Sequence, residues 1–124
     1  MNRIVIRCVN RDEVVATEAR FCRGFWSRLR GLLGTAESEG AKGCWIEPCN
    51  SIHTFGMSYP IDAYFLNRQN QVVAVLKGLK PNRISPIYFD AHSVLEFSCG
   101  ASKSCVVGDQ FILECETNDA VKVA

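Results

Sequence analysis

Apolar and polar residues alternate along most of the chain in short stretches bounded by Asn, Asp, Gly and Pro, a pattern that predicts strands. Residues 3–9 and 12–17 predict two strands joined at Asn10-Arg11-Asp12, rich in the β-branched residues that suit a pleated, half-buried surface. Further strands are expected at 44–47, 51–57, 61–67, 71–77, 93–98 and 110–115. In 61–67, Ile61, Ala63 and Phe65 share one face while Asp62, Tyr64 and Leu66 share the other. In 93–98, Leu95 and Phe97 oppose Val94 and Glu96. Asn67-Arg68-Gln69-Asn70 reads as a hairpin turn between two strongly apolar strands. One segment departs from period two: Cys22, Phe25, Trp26, Leu29, Leu32 and Leu33 recur at intervals of three and four, predicting an amphipathic helix stopped by Gly34. Thr35 to Lys42 reads as a loop. Gly78 to Ala91, with Pro81 and Pro86, has no period and predicts a long surface loop of the kind that frames a site. The pattern predicts a mainly β fold, a sandwich or flattened barrel with one amphipathic helix across an end.

A chain of 124 residues fits a single domain over 1–124. Hydrophobic residues at 48% and charged residues at 22% exclude a mainly disordered chain. Net charge is +1, so no general attraction to nucleic acid is expected, although the first 35 residues hold seven arginines against Asp12, Glu13 and Glu18. No run approaches the ~18 apolar residues of a membrane span, and no export signal precedes the first strand, which predicts a cytoplasmic protein. In that compartment the seven cysteines, at 8, 22, 44, 49, 99, 105 and 115, are expected as reduced thiols, several of them acting as small apolar core residues.

Candidate chemistry concentrates between Ser51 and Asp62. His53 and Asp62 lie nine residues apart, far enough for a turn at Tyr59-Pro60 to lay two strands side by side. A carboxylate there would orient the imidazole and raise its pKa for acid or base work; the structural alternative is a pair that holds strand register. Asp62 and Glu96, set among apolar strand neighbours, are both expected to be mostly buried; Glu96, between Leu95 and Phe97, then needs a cation or a proton, and at least one of the two is expected to contact Arg30 or Arg28. Such a pair braces helix against sheet, or, with an arginine edge open to a cleft, suits a carboxylate or phosphate. Phe55 and Met57, with Trp45 nearby, line an apolar pocket or pack the core. Cys44-x4-Cys49-x3-His53, with Cys99 or His92 as a fourth ligand, is looser than a zinc knuckle, and no Cys-x-x-Cys occurs; no metal or cofactor is expected. Cys99 and Cys105 could close a small loop on oxidation. Phosphate-binding loops, nucleophile elbows and His-Glu-x-x-His are absent from the sequence.

Several separated motifs, in order, are similar to one family. They are Arg28-Leu29-Arg30-Gly31-Leu32-Leu33-Gly34, Gly43-Cys44-Trp45-Ile46, the 51–62 segment, Ile61-Asp62-Ala63-Tyr64-Phe65-Leu66, Val72-Val73-Ala74-Val75, Val94-Leu95-Glu96-Phe97, Gly100 and Gly108-Asp109. Over residues 11–113 the chain resembles the bacterial and archaeal family DUF192. That resemblance implies a β architecture and no known activity. The expected role is a noncatalytic module whose cleft near Arg30, His53, Met57, Asp62 and Glu96 receives a small ligand or peptide. Alternatives are an enzyme using His53 with Asp62 or Glu96 as acid and base, and a structural or assembly protein acting through its surface.

Overall fold

The computed structural model describes residues 3–23, 31–102 and 105–115. Local alternation produces seven strands: β1 (Arg3–Cys8), β2 (Glu13–Cys22), β3 (Cys44–Ile46), β4 (Ile61–Leu66), β5 (Val72–Leu79), β6 (Ser93–Ser98) and β7 (Phe111–Cys115). They form one sheet in the order β5-β4-β6-β3-β2-β1-β7. Every neighbouring pair is antiparallel except β2 and β3, which run parallel and so require the long connection between them.

The sheet curls until its ends meet along one rim. Gln71 and Gln110 form an isolated bridge, Val72 N–H donates to Asp109 O at 2.9 Å, and Phe111 N–H donates to Asn70 O at 2.9 Å. Elsewhere the barrel stays open, which makes the fold a flattened, unclosed barrel, mainly β as expected. Inside the curl lies one core, with Ile6, Trp45, Tyr64, Leu66, Leu95, Phe97 and Phe111. The other face carries Cys22, Cys44, Ile46, Ile61, Ala63, Phe65 and Val94, covered by Leu32, Ile52 and Tyr59. Because both faces are covered at the middle of the sheet, β4 and β6 are buried at every position. The predicted division of Ile61, Ala63 and Phe65 from Tyr64 and Leu66 is the division between the two cores.

Three elements differ from the sequence expectation. β2 continues to Cys22, because its second half pairs with β3 through Arg20–Cys44, Phe21–Trp45 and Cys22–Ile46. Cys22, read as the start of a helical stripe, therefore ends a strand; residues 24–30 of that stripe lie outside the described residues, and Leu32 and Leu33 occupy a turn. A short helix, α1 (Glu37–Gly40), sits in the predicted 35–42 loop, with Glu37 and Glu39 favourably placed in its first turn. Its last residue is glycine for a steric reason: a Cβ at Gly40 would lie 2.5 Å from Tyr59 Oη. The third difference is 51–57, where a single bridge, His53 with Ile84, replaces the predicted strand. Gly56, at φ +86°, and the Met57 N–H bond to Thr54 O turn the chain before a strand can extend.

Candidate functional site

The segment 49–54 finds its backbone partners in the long loop after β5. Cys49 N–H donates to His92 O at 2.8 Å, Tyr88 N–H to Asn50 O at 2.9 Å, Ser85 N–H to Ile52 O at 2.9 Å and Thr54 N–H to Arg83 O at 2.8 Å. The Thr54 hydroxyl adds a bond to Lys80 O at 2.6 Å. Two irregular segments thus lace into a flap over the β3-β6-β4 face. Between flap and sheet is a cavity of about 320 Å³, lined by Ile46, Ile61 and Glu96 from the sheet, Gly31 to Leu33 at one side, and Pro48 to His53 with Phe55 and Met57 from the flap.

Glu96 projects from the centre of this floor, opposite Cys44 on β3 and Ala63 on β4. It is 5% exposed. Among the described residues no group hydrogen-bonds its carboxyl. Burial pushes the carboxyl from 4.5 up to about 8; charge on Cys22 reinforces the shift and the Arg20 cation opposes it. At neutral pH Glu96 is therefore mainly protonated, a hydrogen-bond donor as well as an acceptor.

Behind Glu96 lies a second polar group. Arg20, 8% exposed, reaches from β2 to donate to Gly31 O, and its Nη2 lies 3.8 Å from Cys44 Sγ. The Cys22 and Cys44 sulfurs are 3.1 Å apart. The hydrogen bond between them favours one thiolate: it brings Cys22 down from 9.0 to about 7 against its burial, with help from Arg20, and pushes Cys44 up.

The family model described as Uncharacterized ACR matches residues 6–112. The chain belongs to the DUF192 family. Two solved structures share the DUF192 chain's fold. A protein of unknown function from Novosphingobium aromaticivorans superposes with TM-score 0.72 at 15% identity, over 89% of this chain and 83% of its own. A Sinorhizobium meliloti protein, provisionally described as a transcription regulator, superposes with TM-score 0.70 at 15% identity, over 90% and 92%. Identity this low establishes shared fold alone. No curated protein matches the sequence.

Within this DUF192 fold, His53, Met57 and Glu96 all line the cleft. Asp62 does not. It lies on the other face of β4, where its carboxylate accepts Gly78 N–H at 2.7 Å and Gly100 N–H at 3.0 Å, with Lys77 Nζ at 3.7 Å. The side-by-side arrangement of His53 and Asp62 is not formed, because β4 pairs only with β5 and β6 while 51–57 pairs with the 80–92 loop. Arg28 and Arg30 lie outside the described residues. Phe55 lines the cleft, whereas Trp45 belongs to the opposite core and donates to Glu47 Oε1 at 2.8 Å.

The Cys44, Cys49 and His53 set is separated: Cys44 contacts Cys22, and Cys49 donates to Ser51 O at 3.2 Å. Among the described residues no three His, Cys, Asp or Glu side chains are arranged to hold a metal ion. No helix among them is long and apolar enough to cross a membrane. Sequence reasoning missed Arg20 and the Cys22–Cys44 pair. The available signal was Arg20-Phe21-Cys22, whose alternation places Arg20 and Cys22 on one face once β2 is extended beyond Thr17.

His53 is exposed and stacks on Phe55 with ring centroids 5.3 Å apart. His53→Ala should therefore change stability by no more than about 1 kcal/mol in urea unfolding. A loss of about 2 kcal/mol or more would identify His53 as a structural support of the flap.

Proposed function

We propose that this DUF192 protein is a noncatalytic binding module that takes a small molecule, or the end of a peptide, into the cleft between the flap and the β3-β6-β4 face. The observation that carries this reading is Glu96, a buried carboxyl with no hydrogen-bond partner among the described residues, facing a cavity. Its carboxyl faces the cavity, where a guest carrying a polar group would meet its hydrogen-bonding atoms. The cavity volume suits a metabolite-sized guest. Ile46, Ile52, Ile61 and Met57 supply apolar contact, while Asn50, Ser51, His53 and Glu96 offer polar contacts that fix orientation. Protonated Glu96 would donate to a carbonyl or carboxylate oxygen of the guest. Reduced thiols in the core agree with a cytoplasmic setting.

A second reading draws on the raised pKa of Glu96. A carboxylic acid that keeps its proton near neutral pH, in a cleft shared with His53, has the properties of a general acid. Asp62 has no part in that reading.

A thermal-shift screen of metabolites and short peptides tests the proposal. A true cleft ligand at 100 times its dissociation constant should stabilise the protein by about 2.7 kcal/mol. The shift should vanish in Glu96→Leu and weaken in His53→Ala. Ligands that stabilise Glu96→Leu as well as the parent would contradict the cleft reading, and conversion of a bound ligand, followed by NMR, would favour the acid catalyst.

A further inference from the structure

Cys22 and Cys44 share the sheet face of the cleft without lining it. Cys22 lies opposite Ile46 and Arg20 opposite Cys44, so the two cysteines are diagonal neighbours on parallel strands with side chains on one face. Their sulfurs stand 3.1 Å apart, compared with roughly 2 Å in a disulfide, so a closure of about 1 Å converts the contact into a bond. The Arg20 guanidinium, whose Nη2 lies 3.8 Å from Cys44 Sγ, is a buried cation beside the pair, and its charge favours the Cys22 thiolate. Three other thiols are set differently. Cys8 and Cys105 lie in the opposite core, where burial pushes Cys105 up to about 11, and Cys99 is exposed with its thiol held up by the nearby Asp62 charge.

We propose that Cys22 and Cys44 form a redox-active dithiol that hydrogen peroxide oxidises to a disulfide between β2 and β3. The class of oxidant follows from access: both sulfurs are buried, so a small, uncharged peroxide can reach them where a bulky disulfide cannot. Cys22 thiolate attacks one peroxide oxygen; the sulfur–oxygen bond forms, the oxygen–oxygen bond breaks and hydroxide leaves, giving a sulfenic acid at Cys22. Cys44 then attacks the Cys22 sulfur. The sulfur–sulfur bond forms, the sulfur–oxygen bond breaks, and the departing hydroxide takes the Cys44 proton as water. Counting the proton originally on Cys22, two thiols and one hydrogen peroxide become one disulfide and two waters. Since the Cys22 charge acts on Glu96, oxidation removes a negative charge that bears on the floor of the cleft. The proposal does not depend on the cleft having a ligand.

Stoichiometric hydrogen peroxide applied to the reduced, full-length protein, followed by alkylation in denaturant and peptide mapping by mass spectrometry, tests it. The expected product is a cross-linked pair of peptides carrying Cys22 and Cys44. Two of the seven thiols should be lost. The intact mass should fall by about 2 Da, and dithiothreitol should restore it. In C44S, which lacks the resolving thiol, a sulfenic acid should persist at Cys22 and react with dimedone. Recovery of both cysteines alkylated while other thiols oxidise, joining of either to a different cysteine, or direct over-oxidation of Cys22 without a cross-link would overturn the proposal. Mapping of the natural sequence decides the matter if C44S does not fold.

Discussion

Asp62→Ala should lower the free energy of unfolding by about 3 kcal/mol and leave cleft binding unchanged. The buried carboxylate accepts Gly78 N–H at 2.7 Å from the end of β5 and Gly100 N–H at 3.0 Å from the turn after β6. Both glycines hold left-handed conformations, φ +64° and +85°, that turn these amides toward one acceptor. Removing the carboxylate strands two part-buried backbone donors, costing roughly 1 to 3 kcal/mol at the more enclosed Gly78 N–H and less at the Gly100 N–H, whose residue is exposed. Lys77, whose side chain is 52% exposed, adds little to this sum, so Lys77→Met should cost less than about 1 kcal/mol. Asp62→Asn, which retains an acceptor, should lose less than Asp62→Ala. Urea denaturation of the three variants is the measurement, and an alanine variant within about 1 kcal/mol of the parent would refute the brace.

Elements specified by local chemistry were legible in the sequence. The β4–β5 turn follows from Asn67, whose Oδ1 accepts the Gln69 and Gln71 N–H groups at 3.0 Å each, and from Asn70, which tolerates φ +64°. The burial of Asp62 and Glu96 also followed from their apolar strand neighbours. What the alternation could not reveal was how the face of β4 matches the face of β6. That depends on the pairing of Asp62 with Phe97 and Ala63 with Glu96, which sends the two carboxyls to opposite sides of the sheet.

Distant partners hid the remainder. Arg20, past the predicted end of the second strand at residue 17, counts only as one of the amino-terminal arginines until Gly31 O and Cys44 Sγ enclose it, and the parallel β2–β3 pair joins residues more than twenty positions apart. The 51–57 segment has strand-like composition. Its main hydrogen-bond partners, however, lie in the irregular 80–92 loop, and composition cannot identify a backbone partner. The flap is therefore the feature least legible in the sequence and the one that encloses the cleft.

Glu96 should make stability fall with pH across a window that few carboxyls affect. Its ordinary value is 4.5 and its folded value about 8, so between these limits the folded state holds a proton that the unfolded state has released. A group raised in this way contributes its full stability below about pH 4.5, and that contribution declines until pH passes about 8. The span corresponds to a loss on the order of 5 kcal/mol. Cys22 acts in the opposite sense: its folded value of about 7 lies below 9.0, so its ionisation adds stability as pH rises between them. The sum of the two conceals each above neutrality, and a comparison with Glu96→Gln isolates the carboxyl. The glutamine variant keeps the shape of the protonated acid and cannot ionise, so its unfolding free energy should gain on the parent from pH 5 to pH 8 and level off beyond. Urea unfolding of both proteins across that range, with Cys22→Ser as the background in which the thiolate is absent, gives the difference directly. Parallel pH profiles would mean that Glu96 is ionised in the folded protein at neutral pH, and the floor of the cleft would then be an acceptor suited to cations in place of a donor suited to carbonyl and carboxylate oxygens.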